Sequence, residues 1–110
     1  MHVLFVCGRG AWRSPTAARV FGRRPGLAVR ARGLSRSARS KLGDADLRWA
    51  HLILVMEREQ ATRVRARLRE LGLDTPLHSL DIPDEHHFMD PTLIALLEER
   101  AGPLLAVHDP

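Results

Sequence analysis

Apolar residues are arranged along the chain in two alternating patterns. Residues 2–6, HVLFV, and 51–56, HLILVM, are short and almost uninterrupted apolar runs, as a strand buried on both faces requires. Residues 27–31 and 76–80 are weaker versions of the same pattern. Between these runs the apolar positions repeat at helical spacing: Ala17, Ala18, Val20 and Phe21, then Ala61, Val64, Leu68 and Leu71, then Leu93, Leu96, Leu97, Leu104 and Leu105. Ser14 before Pro15 offers a cap and a first-turn proline for the first helix. Arg23-Arg24-Pro25-Gly26 stops that helix. A Gly/Ser/Arg-rich loop at 33–43 leads to a short helix over 44–50. Gly72 closes a helix over 57–71, and Asp90-Pro91 opens the last helix after a loop at 81–89.

The resulting order, β-α-β-α-β-α-β-α, predicts an α/β fold. It is a single domain over residues 1–110, with a four-stranded parallel sheet and helices on both faces. Ligands bind such sheets beyond the carboxyl ends of the strands. The only cysteine of the chain, Cys7, stands at the carboxyl end of the first predicted strand.

That position makes residues 7–14, CGRGAWRS, the candidate site. A loop running from a strand into a helix turns successive backbone N–H groups inward and adds the positive end of the helix, which makes an anion cradle. Gly8 and Gly10 permit the dihedrals and close approach that a cradle needs, with Arg9, Ala11 and Trp12 contributing further backbone. Arg13 presents a planar fork to two oxygens of a tetrahedral anion. A thiol at the floor of this field is favoured as thiolate, Ser14 can donate a hydrogen bond to it, and the outcome is a nucleophile aimed at bound phosphorus. A lone free cysteine is more commonly a small buried hydrophobe. What favours chemistry here is the whole series of strand, cysteine, five residues, arginine, serine, proline and helix.

These residues resemble the low-molecular-weight protein tyrosine phosphatases, whose motif is matched by Cys7, five residues, then Arg13-Ser14 and Pro15. RARGL at 30–34 is similar to the family's second strand and turn, LILVME at 52–57 to its third strand, and DIPDEHHFMDP at 81–91 to its acid-bearing loop. The likeness covers nearly the whole chain and is strongest to a compact bacterial branch. It implies a hydrolase in which Cys7 is the nucleophile, Arg13 binds the phosphoryl group, and Ser14 supports the thiolate. An aspartate near the C-terminus is then the general acid, and the intermediate is a phosphocysteine. The implied substrate is a phosphotyrosine protein or a small aryl phosphate, with inorganic phosphate or sulfate as ligands of the loop and no cofactor.

Three aspartates compete for the acid role. Asp90 precedes Pro91 and is explained by helix capping, although the family writes its acid as Asp-Pro. Asp81 directly follows the fourth strand, and Asp84 lies mid-loop ahead of His86, His87 and Phe88. Asp84 is favoured, with His86, His87 and Phe88 beyond it lining the mouth, or the two histidines simply solvated. The chain departs from the family at Gly10, where an asparagine is usual, and at Trp12, where a second cysteine is frequent. It contains no tyrosine.

Composition narrows the alternatives. Hydrophobic residues make up 45% of the chain, enough for a core, and one cysteine cannot form an internal disulfide or a cysteine-rich zinc site. No signal peptide or membrane span is evident, so a cytoplasmic protein without a membrane partner is expected. Sixteen of the seventeen basic residues are arginine and the net charge is +4, which favours an anionic partner without choosing one. Arsenate reduction on the same fold would need an external thiol to resolve Cys7. A cysteine-phosphorylated phosphocarrier would not need Arg13. A non-catalytic oxyanion-binding or nucleic-acid-binding module would use the arginines of 23–39 and 63–69, but the chain lacks a nucleic-acid motif. His51, His86 and His87 do not stand at metal-ligand spacing, and Trp49 is expected to pack beside the third strand.

Overall fold

The structure, a computed structural model, describes residues 1–9 and 12–108. The elements are β1 (His2–Cys7), α1 (Arg13–Phe21), β2 (Ala28–Gly33), α2 (Asp44–Trp49), β3 (Leu52–Val55), α3 (Arg58–Glu70), β4 (Leu77–Ser79) and α4 (Pro91–His108). All four strands are parallel, in the order β2-β1-β3-β4. The predicted α/β architecture is therefore observed, with boundaries moved by a few residues. β1 runs one residue further than expected, to Cys7 itself, which pairs with Gly33 of β2. β2 begins later and ends later than 27–31, and β3 and β4 are shorter than 51–56 and 76–80.

The pleat explains why β1 and β3 read as continuous apolar runs. Val3, Phe5 and Cys7, with Leu52 and Leu54, point to one face, where Ala17 and Phe21 of α1 and Leu93, Leu97, Ala101 and Leu105 of α4 cover them. Leu4, Val6, Ile53 and Val55 point to the other face, under Leu47 of α2 and Ala61, Val64 and Leu68 of α3. Every strand residue from Val3 to Cys7 and from Leu52 to Val55 is buried. Trp49 is only half-buried. Its ring lies between the His2 imidazole, 4.4 Å away, and the Arg30 guanidinium, 4.1 Å away, at the end of the sheet opposite Cys7.

The chain leaves β1 toward one face and leaves β2 toward the other, so β1 and β3 flank the point where the winding reverses. A crevice opens there at the carboxyl ends of the strands. Gly72 closes α3 with a φ of 70°, as its sequence position predicts. Among the described residues, no helix is long and apolar enough to cross a membrane.

Candidate active site

Cys7 is the last residue of β1, and its side chain is almost wholly enclosed. Ser14, one residue into α1, places its hydroxyl 3.0 Å from the Cys7 sulfur. The same hydroxyl lies 3.4 Å from the Arg32 carbonyl oxygen. The expectation that Ser14 caps α1 is corrected: the N-cap position is Trp12, without a side-chain cap, and Ser14 already lies inside the helix. Its hydroxyl carries one proton and has two acceptors within reach. It can donate to the Arg32 carbonyl or to the Cys7 sulfur, and a hydroxyl donated to the sulfur would favour a thiolate.

Arg13 begins α1 and is 4% exposed. A guanidinium that deep must be paired. Nη1 donates to Glu57 Oε1 at 2.9 Å and to the Ile82 carbonyl oxygen at 2.9 Å. Nε lies 3.6 Å from Asp84 Oδ1. Arg13 thus joins the loop after β1, the end of β3 and the loop after β4. Cys7, Arg9, Trp12, Arg13 and Asp84 line one pocket. Gly10 and Ala11, also expected to form the cradle, lie outside the described residues, whereas Gly8 and Arg9 are on the segment leaving β1.

Of the three candidate acids only Asp84 reaches this pocket, and it is more than half exposed. Asp81 turns away, in the left-handed region at φ 53°. It accepts a hydrogen bond from the Ser79 hydroxyl at 2.7 Å. That bond, reinforced by Arg58 and Arg100, holds its carboxyl below the ordinary aspartate value. Asp90 accepts from the Thr92 N–H at 2.8 Å at the start of α4, the capping role its sequence position suggests. His87 meets Trp12 edge-on, with ring centroids 4.6 Å apart, so one of the three bulky loop residues does border the mouth. Phe88 is exposed, and His86 lies 3.8 Å from Asp90. Among the described residues, no cluster of His, Cys, Asp or Glu could hold a metal ion.

Four supporting residues were not anticipated. Glu57 and Gln60 form a reciprocal clamp at the start of α3. Gln60 Oε1 accepts from the N–H groups of Met56 and Glu57 at 3.0 Å each, and its amide donates to Glu57 Oε2 at 3.4 Å. The sequence carried only a partial signal: glutamine stands three residues after the position that starts the helix, as in a capping box, but Glu57 replaces the usual Ser, Thr, Asp or Asn. Thr16 is fully buried, donates to the Trp12 carbonyl at 2.6 Å and accepts from the Met89 N–H at 2.9 Å, so it ties the cradle to the acid loop. Arg100 of α4 donates to the carbonyls of Leu80 and Asp81 and pins the start of that loop.

No family model matches the chain, and no curated protein does. Solved structures do. The YwlE arginine phosphatase from Geobacillus stearothermophilus superposes with a TM-score of 0.64 at 21% identity, covering 99% of this chain and 97% of that one. A protein tyrosine phosphatase superposes at 0.66 and 22% identity, over 96% of this chain and 93% of that one. The tyrosine phosphatase Wzb from Escherichia coli K30, solved in complex with phosphate, superposes at 0.62 and 19% identity, over 96% of each chain. The chain therefore has the low-molecular-weight protein tyrosine phosphatase fold, as the resemblance of residues 7–15 implied.

Proposed function

We propose that the chain is a cysteine-dependent, metal-independent phosphomonoester hydrolase of the protein-tyrosine-phosphatase type. The observation that carries this reading is the single pocket holding the Cys7 sulfur, the Arg13 fork and the Asp84 carboxylate, with Ser14 3.0 Å from the sulfur. In this reading Arg13, with the positive end of α1, binds the phosphoryl oxygens and stabilises the charge that spreads onto them in the transition state. The Cys7 thiolate attacks phosphorus, the sulfur–phosphorus bond forms, and the bond to the leaving oxygen breaks. Asp84 delivers its proton to that oxygen. Water then attacks the phosphocysteine, the Asp84 carboxylate takes the proton of the water, and inorganic phosphate and the thiolate are released.

A thiol nucleophile needs reducing surroundings, which fits a cytoplasmic location. The neighbours in fold act, by their names, on arginine and on tyrosine phosphates. The test is steady-state hydrolysis of aryl phosphate, alkyl phosphate, phosphotyrosine and phosphoarginine, with Cys7→Ser as blank. Turnover of at least one of the three phosphate esters that survives chelator and vanishes in Cys7→Ser is expected, and cleavage of phosphoarginine alone would replace the ester reading with a phosphoramidate one. Turnover that persists in Cys7→Ser, or that a chelator abolishes, overturns the reading.

A further inference from the structure

The first 43 residues contain ten basic side chains and no acidic one; the first carboxylate of the chain is Asp44. The strand order turns this sequence asymmetry into a spatial one. β2 is an edge strand beside β1, so the loop following β2 borders the mouth on one side, while Asp84 and Glu85 sit on the side of β4. The β2 loop is tied directly to the cradle: Leu34 N–H donates to the Cys7 carbonyl at 3.0 Å and Ser35 N–H to the Gly8 carbonyl at 2.7 Å. It is also closed on itself. Gly33 N–H donates to Ser40, Leu42 N–H donates to Gly33, each at 2.9 Å, and a turn from Ser35 to Ala38 sets Arg36 and Ser37 outward.

The basic residues near this loop fall into two groups. Arg30 and Arg32 share the Asp46 carboxylate, at 3.1 Å each, and are held back on the strand by it. Arg9, Arg36, Arg39 and Lys41 are exposed, and none of them forms an ion pair among the described residues. Arg36, Arg39 and Lys41 on the loop after β2, with Arg9 on the neighbouring segment after β1, form a one-sided field of uncompensated cations beside the mouth.

We propose that the loop 34–41, with Arg36, Arg39 and Lys41, is a docking ledge for an acidic peptide segment flanking the phosphorylated residue of a protein substrate. This rests on the hydrolase reading above. With the phosphoryl group seated over Cys7, Asp and Glu side chains on one side of the phosphorylated residue lie over the ledge. The opposite side of the mouth, with the exposed Glu85 carboxylate, repels them. The ledge carries no aromatic residue on which nucleic-acid bases could stack, and no apolar face for insertion into a bilayer.

The test compares phosphopeptides that share one phosphorylated residue and carry acidic, neutral or basic flanks, alongside a small aryl phosphate. Acidic flanks are expected to raise kcat/KM about tenfold at low salt. The advantage should collapse when ionic strength approaches ~0.5 M, where the screening length falls to a few ångströms. Arg36→Glu/Arg39→Glu/Lys41→Glu should abolish it while hydrolysis of the small ester stays unchanged, which also reports that the variant folds. The milder Arg36→Gln/Arg39→Gln/Lys41→Gln set should fall between. Anisotropy of the same peptides on Cys7→Ser gives a readout independent of turnover. Equal binding of all flanks, a preference that the triple variants leave intact, or an oligonucleotide or anionic vesicle held more tightly through the same three residues would each overturn the ledge. Loss of ester hydrolysis alone, with flank-dependent binding intact, would strike at the hydrolase reading instead.

Discussion

Arg13 and Glu57, forty-four positions apart in sequence, meet at the carboxyl edge of the sheet with Nη1 donating to Oε1 at 2.9 Å. Arg13 opens α1 after the β1 loop and Glu57 directly precedes α3, two residues after the end of β3, so the pairing spans the point where the winding of the sheet reverses. Glu57 is itself held by Gln60, which is 3% exposed and accepts from the N–H groups of both residues of the β3–α3 turn, Met56 and Glu57. The orientation of the Arg13 fork is thereby set by backbone geometry at α3 as well as by its own helix.

Glu57→Ala should therefore lower kcat/KM for aryl phosphate about ten- to a hundredfold, chiefly in kcat, because Arg13 remains present and is merely misaimed. Glu57→Gln keeps an acceptor oxygen and should lose less. Steady-state kinetics on both variants separate the two: equal losses would mean that charge, and not the hydrogen bond, is what Glu57 supplies.

Ser14→Ala removes the hydroxyl that lies 3.0 Å from the sulfur. A hydrogen bond to a charged group contributes about 1.5–3 kcal/mol, so kcat should fall about ten- to a hundredfold. Alkylation of Cys7 by iodoacetamide at neutral pH should slow in parallel. Unchanged alkylation would show that Ser14 serves the Arg32 carbonyl instead.

Asp84→Asn should slow hydrolysis most for esters with poor leaving groups, which depend most on protonation in the first step. Asp81→Asn should leave that dependence unchanged, since its carboxyl is turned to Ser79 and kept ionised by that hydroxyl and by Arg58 and Arg100. The sign of the Asp81 shift also sets a stability effect. A lowered folded-state value stabilises the protein above the ordinary aspartate pKa of 3.8, and this is lost as pH falls below it. Asp81→Asn should accordingly narrow the difference in Tm between neutral and strongly acidic pH. A leaving-group effect centred on Asp81→Asn or Asp90→Asn would move the acid role.

The parts of the site legible in the sequence are those made by consecutive residues. Cys7, Arg13 and Ser14 belong to one strand–loop–helix turn, and the end of a buried apolar run located the cysteine. The sequence favoured Asp84 over Asp81 and Asp90, but which of the three carboxylates faces the pocket is a matter of three dimensions, because all three lie within ten residues and differ in which way the backbone turns. The left-handed φ of Asp81 and the hold of Arg100 on its carbonyl decide that direction, and α4 supplies the arginine from nineteen residues away. The role of Thr16, and that of Glu57 beyond starting a helix, were illegible for the same reason: each acts on a partner that the fold brings close, Met89 in one case and Arg13 in the other. The short strands were placed but not bounded, since β2 is half-exposed and its arginines break the apolar signal.

Gly33 offers the strictest test of how the two loops at the mouth fit together. It ends β2 directly beside Cys7, its register partner, and it is buried. A methyl group at its Cα would sit 2.6 Å from the Arg9 carbonyl carbon, 2.8 Å from the Arg9 oxygen and 2.7 Å from the Ala38 Cβ. Two of those contacts are backbone atoms, which cannot rotate away as a flexible side chain would, so either the segment after Cys7 or the ledge must move. Gly33→Ala should therefore destabilise the fold by about 1–3 kcal/mol, the usual cost of overpacking. It should also weaken inorganic phosphate binding and aryl phosphate turnover, because Gly8 and Arg9 begin the cradle. Gly26→Ala and Gly72→Ala, whose added methyl groups meet open space, provide the contrast. Both hold positive φ, so they should lose stability through backbone strain while leaving phosphate affinity intact. Chemical denaturation paired with phosphate titration distinguishes the cases. Wild-type phosphate affinity in Gly33→Ala would mean that the cradle is set by α1 alone and owes nothing to its contact with β2.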